Sequence, residues 1–69
     1  LSHGGNTACV INAANEVVNL AFRQDKCGFL QMAEVIAKTL ERVPYIKEPF
    51  LEDYLETDRI ARITATELL

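Results

Sequence analysis

Few side chains in this sequence could do chemistry, and their spacing limits what they could do together. His3 is the single histidine, and Cys9 and Cys27 are the two cysteines, well separated along the chain. A zinc site needs several His, Cys or carboxylate ligands converging on one point, which this set does not offer. Nor are the cysteines a CxxC pair or a disulfide framework; they read as reduced thiols, at least one partly buried, as free cysteines commonly are. His3 lies in a loose end and reads as an exposed terminal residue rather than a general base or ligand. Glu48, Glu52, Asp53, Glu56 and Asp58 make an acidic run that invites a metal or acid/base reading. Spread around a helix, however, they do not converge as the oxygens around a hard cation must, and they read as a solvated face with a favourable helix N-terminus. No glycine-rich dinucleotide loop, phosphate loop, HExxH or nucleophile elbow occurs. The sequence therefore predicts no catalytic, cofactor-binding or metal-ligating residue in this chain.

What remains unusual is a polar stripe on the longest helix-like run, Asn6 to Arg23. Val10, Ile11, Ala14, Val17, Val18, Ala21 and Phe22 recur at helical spacing and predict one broad buried face. Asn12, Asn15, Glu16 and Asn19 fall three and four apart and line up as a second stripe, made mostly of side-chain amides. Asparagine is a poor interior helix residue, because its side chain competes for backbone hydrogen bonds. A freely evolving wet face would carry Lys, Glu or Gln more readily, so Asn12, Asn15 and Glu16 are read as a polar surface that meets something other than water.

Three helices must position these residues. Asn6 is the expected N-cap of the first, with Arg23 and Lys26 at the end where cations suit the dipole, and Asp25 to Gly28 as the break. Phe29 and Leu30 are expected to return to the core before a second helix from about Met32 to Val43. Gln31 would be its weak cap, Glu34 would reach back, and Leu30 with Val35 would form a hydrophobic staple. Met32, Val35, Ile36, Leu40 and Val43 form the apolar face of that helix; Glu34, Lys38, Glu41 and Arg42 form the wet one. Pro44 to Pro49 is an extended connector that Tyr45 and Ile46 would pin to the bundle. The third helix runs from about Leu51 to Leu68, with Glu52 and Asp53 in its first turn and Leu51, Tyr54, Leu55, Ala61, Ala65 and Leu68 as its buried stripe. Asp58 falls in line with that stripe. Either it is buried and finds a partner on the amide stripe, or the apolar stripe rotates past it and leaves it wet beside Arg62.

Sixty-nine residues, 49% hydrophobic and 25% charged, make one small globular domain. The formal charge of −3 and the lack of a basic block disfavour nucleic acid as a partner. No apolar run approaches a membrane span and no signal-peptide pattern opens the chain, so the expected compartment is the cytoplasm. The first residue is Leu rather than Met, and residues 1–5 read like the tail of an earlier helix that glycine terminates; a piece of a longer chain is expected.

The run Gly4-Gly5-Asn6-Thr7, then Val10-Ile11-Asn12-Ala13-Ala14-Asn15-Glu16-Val17 and Ala21-Phe22, closely resembles the start of the C-terminal helical region of 1-deoxy-D-xylulose 5-phosphate reductoisomerases. Gly28-Phe29-Leu30, then Leu51-Glu52-Asp53 with Asp58-Arg59 and Ala61-Arg62, resemble later parts of the same region in the same order. Ala8 stands where the family often has Pro, Gln31 where it usually has Asp, and Phe50 where it tends to have a Ser or Thr cap, which predicts a third helix prone to fray at its start. The resemblance implies an all-α, three-helix piece of a small helical bundle, residues 1–69, whose other partner lies outside the chain. It implies a bacterial, cytoplasmic parent enzyme of the isoprenoid pathway that makes 2-C-methyl-D-erythritol 4-phosphate with NADPH and a divalent metal (Mg or Mn), as a homodimer. The metal carboxylates, phosphate-binding residues and NADPH fingerprint of that family match nothing here. The implied role is to buttress the parent's catalytic domain, with Asn12, Asn15, Glu16 and Asp58 as interdomain or packing residues. The competing reading is an independent interaction module that binds another protein through the amide stripe.

Overall fold

The computed structural model describes residues 5–69, and the readings of His3 and of the stretch before Gly5 lie outside them. Three helices follow one another: α1, Thr7–Arg23; α2, Phe29–Arg42; and α3, Leu51–Leu68. Val10 and Ala13 of α1 pack with Val43 and Ala61, while Ala14 and Val18 pack with Val35 and Ala65. Residue numbers thus rise together along α1 and α3 and fall along α2, so α1 and α3 are parallel and α2 runs against both. The bundle is all-α, with an alanine seam, Ala13 and Ala14 facing Ala61 and Ala65, where α1 and α3 approach each other.

That seam decides which apolar residues go inside. Thr57, Ala61 and Ala65 are the buried residues of α3, whereas Leu51 and Leu55 are 73% and 65% exposed. The expected stripe through Leu51 and Leu55 is therefore wrong: small residues spaced four apart let the helices close up, and the bulky leucines fall on the flank. On α1, Ile11 and Phe22 likewise lie at the edge rather than within the core, and Ala13 takes their place.

Each break has a local cause. Asp25 holds φ +60, and its N–H reaches the Phe22 carbonyl at 3.0 Å while that of Lys26 reaches Ala21 at 2.8 Å, so α1 ends in a left-handed turn built on Asp rather than Gly. The second helix begins earlier than expected, with Gly28 at the N-cap and the Gln31 side chain accepting from the Gly28 N–H at 3.4 Å. Gln31 therefore serves as the residue that reaches back, and Glu34 pairs with Lys38 instead. Phe29 and Leu30 stay outside, 74% and 85% exposed, so no staple with Val35 forms. At α3, Asp53 accepts the Phe50 N–H at 2.9 Å, which supplies part of the cap that Phe50 itself lacks.

Asn6 sits at the N-cap position of α1 but makes no side-chain cap bond. Its side chain is buried and turns to the α2–α3 connector: Nδ2 donates to the Pro44 carbonyl at 3.0 Å and to Thr57 Oγ1 at 3.1 Å, and Oδ1 accepts the Ile46 N–H at 2.8 Å. The Asn6 N–H also donates to the Ile46 carbonyl at 3.0 Å. Ile46 thus pins the connector through its backbone, while the Tyr45 ring stays largely exposed. Replacing Asn6 by Ala strands the buried Thr57 hydroxyl and the part-buried Pro44 and Ile46 backbone groups on two elements, so Asn6→Ala should lower the unfolding free energy by about 2–4 kcal/mol. Urea unfolding measures this; a loss under about 0.5 kcal/mol, the size of an ordinary surface change, would show that these bonds do not hold the bundle together.

Candidate functional site

Because Val10, Ala13, Ala14, Val18 and Ala21 define the inward face of α1, helical geometry turns Asn12, Asn15 and Glu16 outward, where all three are exposed. Asn19 is half-buried and donates from Nδ2 to the Asn15 carbonyl at 2.8 Å and to Asn15 Oδ1 at 3.0 Å. Asn12 finds no side-chain partner among the described residues. The amides are thus not part of this chain's own core.

Glu16 is linked to α3. Arg62 Nη2 donates to Glu16 Oε1 at 2.6 Å and Arg62 Nε donates to Asp58 Oδ2 at 2.9 Å, so one guanidinium ties two carboxylates on two helices. The hydrogen bond to Asp58, then that to Glu16, holds the Arg62 guanidinium above its ordinary range. Asp58 is half-exposed, because Thr57 takes the buried position beside it. Of the two arrangements open to Asp58, the one beside Arg62 is present, and it meets the stripe only through the Arg62–Glu16 contact. Sequence spacing offered Arg62 as a neighbour of Asp58; its reach to Glu16 depends on the parallel register of α1 and α3.

Three further carboxylates are engaged locally. Asp53 accepts from Phe50, Glu34 pairs with Lys38, and Glu56 pairs with Arg59 at 2.6 Å, which holds the Glu56 carboxyl below its usual range. Among the described residues no three His, Cys, Asp or Glu groups are placed to hold a metal ion. Nor is any helix there long and apolar enough to cross a membrane. An open concavity of about 490 Å³ lies between the ends of α1 and α3, lined by Val17, Leu20, Ala21, Thr66 and Leu69 with Gln24 and Lys26 at its polar side. Asn6, which sequence reasoning assigned to a cap, is the residue with the widest structural reach. Nothing in its own neighbourhood could separate a capping asparagine from a buried one.

These residues build a three-helix domain in which Arg62 links α1 to α3 and the outward face of α1 is amide-rich. The family model described as DXP reductoisomerase C-terminal domain matches residues 1–64, and the chain belongs to that family. It is 54% identical over 69 residues to a 1-deoxy-D-xylulose 5-phosphate reductoisomerase of Phocaeicola vulgatus, covering 100% of this chain and 18% of that protein. It is 50% identical over 66 residues to the protein of that name in Bacteroides thetaiotaomicron, covering 96% and 17% respectively. With the Solibacter usitatus protein of that name the identity is 42% over 65 residues, covering 94% and 16%. The chain thus spans less than a fifth of the length of these relatives. No solved structure gives a significant match.

Cys9 sits between α1 and α3, its Sγ donating to the Tyr54 carbonyl at 3.5 Å. Burial first, then the Asp58 carboxylate, pushes its thiol pKa up, with Arg62 opposing. Since the thiolate is the nucleophile, Cys9 should alkylate with iodoacetamide more slowly at neutral pH than an unperturbed thiol, with a rate still climbing above the ordinary thiol range. Peptide mass spectrometry reads this; a rate and pH profile equal to those of a free cysteine would contradict the packing described.

Proposed function

We propose that this chain is the C-terminal helical domain of a bacterial 1-deoxy-D-xylulose 5-phosphate reductoisomerase, a cytoplasmic homodimeric enzyme that makes 2-C-methyl-D-erythritol 4-phosphate with NADPH and a divalent metal. The observation that carries this reading is the 54% identity running through all 69 residues to a relative of that name. The described residues do not fit NADPH or the metal: they offer no glycine-rich phosphate cradle and no converging carboxylates. Hydride transfer and metal binding therefore fall to the rest of the polypeptide, and this domain contributes a rigid buttress against which the catalytic part is held. The full polypeptide should oxidise NADPH when given the pentulose phosphate and magnesium or manganese, while the 69-residue chain should neither turn over nor bind NADPH. Saturable NADPH binding by the 69-residue chain in a calorimetric titration would overturn this division of labour.

The outward α1 face, with Asn12, Asn15 and Glu16, and the Asp58–Arg62 pair beside it, are proposed as the side that meets the catalytic part. In the 69-residue chain, Asn15→Ala loses an exposed amide pair of about 0.2–0.5 kcal/mol and gains a comparable helix propensity, so its stability should hold or rise slightly. In the full polypeptide the same change should cost about 1–3 kcal/mol, because a covered partner loses its hydrogen bond. The two contexts differ in sign; equal stabilisation in both would place the stripe in water.

A further inference from the structure

The outward faces of the three helices differ in charge. Those of α2 and α3 carry Glu34, Lys38, Glu41 and Arg42, and Glu52, Glu56, Arg59 and Glu67, as solvated helices do. Between Thr7 and Leu20, α1 carries one charged side chain, Glu16, and that one is engaged by Arg62. The rest of its outward face is Ala8, Asn12 and Asn15, with Asn19 half-buried, Ile11 and Phe22 at one edge, 41% and 43% exposed, Leu20 at the other, 51% exposed, and Arg23 closing the stripe at the helix end. Scarcity of charge between Thr7 and Leu20, together with partly exposed large apolar side chains, is the composition of an interface centre, not of a wet face.

The side chains also indicate the chemistry of what docks there. A carboxamide carries a donor and an acceptor in one plane, the same pair that a peptide group carries, and it matches neither a carboxylate nor an ammonium as well as an opposite charge would. Ala8 and the asparagines are short, so another backbone can come close. Free peptide N–H and C=O groups occur where chain is neither inside a helix nor inside a sheet. Belonging to a C-terminal domain family, and spanning 18% of the Phocaeicola vulgatus relative, this chain implies a long N-terminal polypeptide tethered to it, and a tether raises the effective concentration of any surface within reach.

We propose that the outward face of α1, centred on Asn12 and Asn15, is a seat for uncharged main chain: a non-helical segment of the N-terminal polypeptide whose peptide groups pair with these two amides. This rests on the reading of the chain as the C-terminal domain of a longer enzyme. The test is peptide-resolved hydrogen exchange on the full polypeptide, comparing wild type with Asn12→Asp, Asn12→Lys and Asn12→Ala, and with Ala37→Asp on the exposed side of α2 as a charge control. The three Asn12 variants should speed exchange about tenfold, the equivalent of one unmade hydrogen bond, in one and the same segment outside this domain, with the exchange of α2 and α3 unchanged and the control without effect. Slower exchange in either charged variant would mean a charged partner surface, and a change confined to self-association would mean a second copy; both overturn the proposal, as does exchange that no variant moves. NADPH turnover by the wild-type polypeptide separates the two levels. Turnover with unmoved exchange removes the seat alone, and a shared protected segment without turnover removes the enzyme reading alone.

Discussion

The bundle depends on where Asn6 sends its hydrogen bonds. An up-down-up arrangement must carry the chain from the end of α2 to the start of α3 across one end of the bundle, and the connector that does this has no regular structure to satisfy its own backbone. Asn6 supplies both missing complements. Its backbone N–H and its Oδ1 take the two polar groups of Ile46, and its Nδ2 takes Pro44 and Thr57 together, so α1, connector and α3 are joined at one buried side chain. Gly5 makes the approach possible. At φ +49 it adopts a conformation that suits glycine, and a Cβ there would lie 2.5 Å from the Ile46 carbonyl oxygen and 2.7 Å from the Tyr45 ring. With Thr57 held, Ala61 and Ala65 follow at one-turn spacing against Ala13 and Ala14, and Arg62 comes within reach of Glu16.

The existence and order of the helices were legible because the apolar period and the two prolines speak locally. The bounds of α1 and α3 follow from Arg23, Asp25 and Pro49 in the same way. The start of α2 was not, since the sequence around Gly28 offers two competing caps. Gly28 with Gln31 reaching back adds a turn of helix that the reading from Gln31 and Glu34 omits, and that turn carries Phe29 and Leu30 out of the core. The inward face of α3 was misread for a tertiary reason. Hydrophobicity ranks Leu51 and Leu55 above Thr57, but the distance between parallel helices is set by the smallest residues along the seam, and only the contact with α1 reveals which those are.

Ionic contacts contribute little to this fold. The side chains of Arg62, Glu16 and Asp58 are each about half in water, and exposed pairs of this kind contribute between nothing and about 1 kcal/mol. Their value lies in register, since Arg62 can satisfy Glu16 only if α1 and α3 run parallel at this offset. The core itself is built of valine and alanine, while Phe50, at 78%, and Leu51 stay exposed. A domain of this size that leaves its largest apolar residues outside has little reserve of buried area, and such surface has meaning where more polypeptide is present to cover it.

The two faces of α1 answer one requirement with different chemistry. On the inner side, Ala13 and Ala14 admit a helix whose backbone groups are already paired, so methyl groups suffice and dispersion does the work. On the outer side, Ala8, Asn12 and Asn15 are equally short but carry amides, which an approaching helix could not use. Short side chains permit close approach; amides give that approach a hydrogen-bonding pattern. A face meant for water gains nothing from either property, because Lys and Glu hydrate better and favour the helix more. The residues that α1 turns away from its own core are therefore the ones that irregular backbone, with its N–H and C=O groups free, is equipped to meet.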